Sequence, residues 1–125
     1  ALPNVPIVSI VDDDESVRIA TASLIRSLGW GVLLFASAEA FLQSRERADT
    51  ACIVCDIQMP GMTGLEMQAY LVATGTLLPI IFVTAFPSDD AQRQASANGA
   101  RAFLHKPVDA AEMTRCLEAI LGAAY

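Results

Sequence analysis

The sequence predicts an α/β fold of five successive β-α units, a three-layer sandwich with a parallel five-stranded sheet covered by helices on both faces. Three observations carry that prediction. Apolar runs alternate with amphipathic stretches five times along the 125 residues. The first, third and fourth runs are almost wholly apolar, as central parallel strands are when both faces are covered. Acidic, hydroxyl and basic residues stand just after the runs, at the strand ends where open α/β sheets keep their ligands. Right-handed crossovers then put the helices on both sides of the sheet.

Strands are predicted at Ile7–Val11, Val32–Phe35, Ala51–Cys55, Ile80–Val83 and Ala102–Leu104, the second and fifth as edges. Val17, Ala20, Leu24 and Leu28 recur at helical spacing after the first strand, and Gly29 supplies a stop. Ser37 caps a short helix expected to run through Arg45. Thr63-x-x-Glu66 has the capping-box spacing, with Met62 and Met67 placed as a hydrophobic staple. Ser88 starts the fourth helix and Asn98-Gly99 ends it; around Asp89–Ala97 it carries Ala but no large aliphatic residue, so it is expected to be the most weakly anchored. Asp109 and Glu112 repeat the capping spacing ahead of Met113, Leu117, Ile120 and Leu121.

Composition bounds the rest. With 54% apolar and 18% charged residues, the chain is expected to form one domain over 1–125, with no need of a disulfide or metal staple. That apolar content excludes disorder. A net charge of −6 argues against a nucleic-acid grip by this domain, which would need a basic patch. No run reaches the roughly 20 apolar residues of a membrane span. Cys52 and Cys55 form a C-x-x-C, but residues three apart on a strand face opposite sides, so core thiols are expected in place of a redox or metal pair. A reducing cytoplasm fits them. No signal peptide is evident, and Ala1 in place of Met is expected to reflect processing or recombinant production.

The chemistry lies at the strand ends. Strand one runs into Asp12-Asp13-Asp14-Glu15. A nucleotide-binding protein would place glycines there to cradle phosphate; carboxylates attract a hard cation instead. Asp14 and Glu15 suit the positive end of the following helix, which leaves Asp12 and Asp13 to be explained. Strand three ends in Asp56. If strands one and three are neighbours, about 4.8 Å apart, the three carboxylates meet, and either protons or a divalent cation must relieve their repulsion. Mg²⁺ suits the set better than Ca²⁺, since no EF-hand loop spacing is present. Thr84 and Lys106 end strands four and five and add one hydroxyl donor and one cation. Together these groups suit a phosphoryl group held covalently on Asp56.

At this point the chain resembles the receiver domain of two-component response regulators. The resemblance covers essentially the whole chain and rests on Val11-Asp12-Asp13, Asp56-Ile57-Gln58-Met59-Pro60 with Gly64, Val83-Thr84-Ala85, and Lys106-Pro107. It implies a flavodoxin-like fold with strand order 2-1-3-4-5 and phosphoryl acceptance by Asp56 from a sensor histidine kinase or a small phosphodonor. It implies Mg²⁺ bound by Asp12 through water, Asp13, Asp56 and the backbone carbonyl of Gln58, with Thr84 and Lys106 on the phosphoryl oxygens. Phe103 matches the switch aromatic, which in the family turns inward as Thr84 moves and so alters the helix 4–strand 5–helix 5 face. Homodimerisation on phosphorylation is a further implication. Ser37-Ala38-Glu39-Ala40-Phe41-Leu42 resembles the FixJ-like, LuxR-class branch, in which a helix-turn-helix output domain follows; here it would lie beyond Tyr125, and any DNA contact would belong to it.

Gln58 and Phe86 stand two residues after Asp56 and Thr84, positions that tune phosphate lifetime in relatives; Phe86 is expected to hinder attacking water. His105 shares strand parity with Phe103 and is expected to face the surface or a partner. The alternatives are a Mg²⁺-dependent phosphohydrolase with an aspartyl-phosphate intermediate, which would want an acid where Gln58 stands, a flavin or nucleotide module, a stand-alone receiver, and a degenerate receiver used only for contacts. The expectation is a regulatory domain, not an enzyme.

Overall fold

A computed structural model describes residues 5–122; Ala1 and Tyr125, on which expectations about processing and a following domain rest, lie outside them. The elements are β1 (Ile7–Val11), α1 (Glu15–Ser27), β2 (Gly31–Phe35), α2 (Ala38–Gln43), a 3-10 turn (Arg45–Asp49), β3 (Thr50–Asp56), α3 (Gly64–Ala73), β4 (Ile80–Thr84), α4 (Asp89–Ala97), β5 (Ala102–His105) and α5 (Ala110–Leu121). All five strands are parallel, in the order β2-β1-β3-β4-β5. The three runs that read as central strands occupy the middle, and β2 and β5 are the edges.

The alternation of side chains along each strand divides the apolar interior into two clusters. One gathers Val11, Phe35, Phe41, Ile53, Cys55, Met67, Leu71 and Phe82 under α2, α3 and α4. The other gathers Val8, Ile10, Ile25, Cys52, Val54, Ile81, Met113 and Leu117 under α1 and α5. Cys52 and Cys55 thus point to opposite faces of β3, each wholly buried. Burial pushes the Cys52 thiol up to about 12 and raises that of Cys55 as well, so both are inert protonated core groups.

The helix ends follow their side chains. Asp14 caps α1, its Oδ1 accepting from the Ser16 hydroxyl at 2.7 Å and from the N–H groups of Ser16 and Val17. These bonds, that of the Ser16 hydroxyl first, hold its carboxyl below the usual range. Thr63 and Glu66 form the reciprocal capping box at α3, and Met62 and Met67 join the same cluster. Helix α4 buries a single residue, Ala95, the fewest of the five helices. Gln68 on α3 supplements it, its Nε2 donating to Ala95 O at 3.0 Å.

The second helix departs from expectation. It stops at Gln43, not at Arg45, because Ser44 turns extended (φ −79°, ψ 135°) and its hydroxyl accepts from Glu46 N–H. Ser44 thereby caps the 3-10 turn that carries Arg45. The strand bounds shift by one residue: β2 gains Gly31, β3 gains Thr50 and Asp56, β4 gains Thr84 and β5 gains His105. The ladder carries polar residues as readily as apolar ones where a neighbouring strand offers partners.

Candidate functional site

The carboxyl ends of β1, β3, β4 and β5 converge. β1 and β3 are hydrogen-bonded neighbours, with Val11 paired to Cys55, so Asp12 and Asp56 leave the sheet side by side. Asp12 is buried, Asp56 is 6% exposed and Asp13 faces solvent. Each offers a carboxylate oxygen, and all three oxygens lie within 4.8 Å of one another. An all-oxygen set of hard, charged donors open to water on the Asp13 side fits Mg²⁺ and disfavours soft metals.

Lys106 reaches in from the end of β5, before a cis peptide to Pro107. Its Nζ lies 2.9 Å from Asp12 Oδ2 and 3.4 Å from Asp56 Oδ2. Burial opposes the ammonium charge, but the bond to Asp12 and the charges of Asp12 and Asp56 outweigh it and raise the Lys106 pKa. For Asp56 burial is the largest influence and raises its pKa; Lys106 pulls it down and Asp12 pushes it up. Asp12 is held on its other oxygen by the Asp14 N–H at 2.9 Å, and Asp56 Oδ1 accepts from Gln58 N–H at 3.4 Å.

Thr84 is buried at the end of β4. Its hydroxyl accepts from Phe86 N–H at 3.1 Å, and its carbonyl takes the Lys106 N–H at 2.8 Å. The β4 and β5 ends are thus joined, leaving the Thr84 hydroxyl proton free to serve a further acceptor. Phe86 is 70% exposed. Phe103 is half-buried on the α2–α4 cluster, paired with Phe82, while Thr84 pairs with His105. His105 shares strand parity with Phe103 but is exposed, the surface position expected for it. The structure brings the expected residues to the sheet edge: Asp12, Asp13, Asp56 and Lys106 cluster, Thr84 joins through the Lys106 backbone, Gln58 follows on the β3–α3 loop, and Phe103 lies on β5 three residues before Lys106.

Two residues, Arg18 and Glu39, were not read as part of this site, and a third, Gly64, was read only as part of the Asp56 motif, with no structural task. Arg18 on α1 donates from Nη1 to the carbonyl of Asp12 at 2.7 Å. Gly64 opens α3 so close to β3 that a Cβ there would land on Asp56 O, with Ile57 Cα at 3.1 Å. Glu39 on α2 accepts from Met62 N–H at 2.9 Å. Arg18 and Glu39 partner backbone groups, which leave no trace in residue spacing.

The response regulator receiver domain profile matches residues 8–118. The chain belongs to the response regulator receiver family. It is similar to the transcriptional regulatory protein FixJ of Azorhizobium caulinodans, 38% identical over 115 residues, covering 92% of this chain and 54% of FixJ. Nodulation protein W of Bradyrhizobium diazoefficiens is 38% identical over 117 residues, 94% of this chain and 50% of that protein. The chain therefore spans about half the length of the curated relatives it matches. Among solved structures, the response regulator StyR superposes with a TM-score of 0.85 at 39% identity, covering 93% of this chain and 59% of StyR. The FixJ-N crystal structure gives 0.80 at 31% identity, covering 90% of each chain. Receivers of this family are signalling domains, and the Asp cluster lies where a receiver keeps its acidic pocket.

Proposed function

We propose that the whole of 1–125 acts as a phosphorylation-controlled switch in which Asp56 accepts a phosphoryl group from a sensor histidine kinase. The observation that carries this is the placement of Asp56: a buried carboxylate at the end of a central strand, facing a lysine ammonium 3.4 Å away and two further acids. An oxygen of Asp56 attacks the phosphorus of a phosphohistidine; the O–P bond forms as the P–N bond breaks, and the imidazole leaves with the electron pair and takes up a proton. Asp12, Asp13, Asp56 and the carbonyl of Gln58 would hold Mg²⁺, which when bound neutralises the charge of carboxylates and phosphoryl oxygens.

The other roles follow from position. Lys106 trades part of its pairing with Asp56 for the phosphoryl oxygens. Thr84 donates its hydroxyl proton to them, and its shift draws on the backbone link to β5, where Phe103 borders the cluster under α4. Because α4 buries only Ala95, little apolar area opposes its displacement. The altered α4–β5–α5 face then governs homodimerisation and a transcriptional output domain beyond Tyr125, in the cytoplasm. The relatives' names as transcriptional regulators support that output. No described helix is long and apolar enough to cross a membrane. Gln58 in place of a second acid favours the switch over a phosphohydrolase.

The test is labelling with acetyl phosphate and Mg²⁺, followed by peptide mass spectrometry. One phosphoryl group on Asp56 is the expected outcome; labelling at another residue, or none, overturns the assignment. A second measurement concerns lifetime. Phe86 stands two residues after Thr84, its N–H bonded to the Thr84 hydroxyl and its apolar side chain largely exposed, and the reading gives it the task of hindering water that attacks the phosphoryl group. Phe86→Ala is expected to speed dephosphorylation about tenfold, equivalent to about 1.4 kcal/mol of barrier. An unchanged or slower rate would remove that role from Phe86.

A further inference from the structure

The loop between Asp56 and Gly64 is pinned at its far end within its own β-α unit. Gly64 N–H donates to Ile57 O at 2.9 Å, and Thr63 N–H donates to Glu66 Oε1 at 2.9 Å. A third pin comes from outside that unit. Glu39, 23 residues upstream on α2, accepts the Met62 N–H on Oε2 at 2.9 Å. The same oxygen lies against Gly61, where a Cβ would stand 2.5 Å from it, and Gly61 holds φ +75°. Glycine there serves both the left-handed turn and the room the carboxylate needs.

We propose that Glu39 is a positioning residue for the phosphoacceptor loop, a carboxylate latch from α2 that holds residues 58–62 so that the Gln58 carbonyl faces the acidic pocket. The inference rests on the reading of Asp12, Asp13 and Asp56 as a Mg²⁺ site. It assigns a physical task to Ser37-Ala38-Glu39-Ala40-Phe41-Leu42: Ser37 caps α2 through Ala40 N–H, Ala38 and Phe41 fill the core, and Glu39 reaches across to the loop. The Met62 N–H, and secondly its own N–H, hold the Glu39 carboxyl below the usual range, so the latch is an ionised acceptor at neutral pH. Outer contacts of this kind orient metal ligands without touching the metal.

Removing the carboxylate leaves the cap and both core anchors of α2 in place, so Glu39→Ala is expected to fold, with its melting temperature lowered only by the loss of the one bond to Met62. Calorimetric Mg²⁺ titration and the hydrogen-exchange rate of the Met62 amide, compared for wild type, Glu39→Ala and Glu39→Gln, form the test. Glu39→Ala is expected to weaken Mg²⁺ about tenfold and to speed Met62 exchange, while Glu39→Gln, which keeps an acceptor oxygen, stays within about twofold of wild type in Mg²⁺ affinity. Wild-type Mg²⁺ affinity in Glu39→Ala, unaltered Met62 exchange, or equal losses in both variants would each overturn the latch. If the wild type binds Mg²⁺ but acetyl phosphate leaves Asp56 unlabelled, the switch function falls and the latch stands. If Asp56 is labelled and the variants bind alike, the reverse holds.

Discussion

Asp56→Asn is expected to abolish phosphoryl uptake from acetyl phosphate while leaving the fold intact. The amide oxygen is a poor nucleophile, and Asp12 and Asp13 cannot substitute: Asp12 is engaged on both oxygens by Asp14 N–H and Lys106, and Asp13 faces solvent. The substitution also removes one of three mutually repelling charges, which gives a second readout. Burial raises the pKa of Asp56, so the folded state binds its proton more tightly than the unfolded chain does. Its contribution to stability is therefore greatest below the ordinary carboxylate value of 3.8 and is lost as pH rises through the folded pKa. With Mg²⁺ chelated, Asp56→Asn should unfold at higher urea than wild type at neutral pH, the gap closing as the pH falls below that ordinary value. Residual labelling, or a gap that widens towards acid, would contradict the assignment.

Gly64→Ala is expected to damage fold and site together. The added methyl would collide with Asp56 O, and with Ile57 Cα at 3.1 Å and Asp56 C at 3.2 Å. All three are backbone atoms of the chain leaving β3, so no side chain can swing aside. Overpacking of this kind costs about 3 kcal/mol at the upper end of its range, a large share of a typical total of about 5–15 kcal/mol. For a chain of this length that lowers the melting temperature by roughly 10 °C. Relief can come only by moving α3 away or by bending the Asp56–Ile57 backbone, so phosphoryl uptake should slow in the fraction that remains folded. Thermal unfolding with parallel acetyl phosphate labelling measures both; wild-type values for each would show that the close approach is dispensable.

The central strands were legible because parallel strands covered on both faces leave largely apolar runs, unbroken in Ile53–Cys55 and Ile80–Val83. The placing of acids at strand ends was legible too, since Asp12-Asp13 and Asp56 follow such runs, but their meeting depends on β1 lying beside β3. Strand order was not in the periodicity; it came from the resemblance. The end of α2 was misplaced because Ser44 reads equally as a surface helix residue or as the cap of a new turn, and only the Glu46 N–H decides between them. Gln68 on α3 drew no reading from the sequence, yet it is 2% exposed and donates to Ala95 O. Arg18 and Glu39 likewise act on backbone groups of other segments, Arg18 on the carbonyl of Asp12 just ahead of its own helix and Glu39 on Met62, 23 residues on. Side chain–backbone contacts across elements are where a single sequence is least informative.

The sheet also works as a partition. Because Ile53 and Cys55 pack on one side of β3 while Cys52 and Val54 pack on the other, the two apolar clusters share strands but not side-chain neighbours. Substitutions in different clusters, such as Phe82 and Met113, should then combine additively, to within about 0.5 kcal/mol, while pairs inside one cluster should couple. In the proposed switch, the same separation would let the layer beside Phe103 and α4 shift while the core contacts of α1 and α5 stay in place, α5 joining the altered face only through its outer surface. One half of the domain can act as moving part while the other serves as its mount.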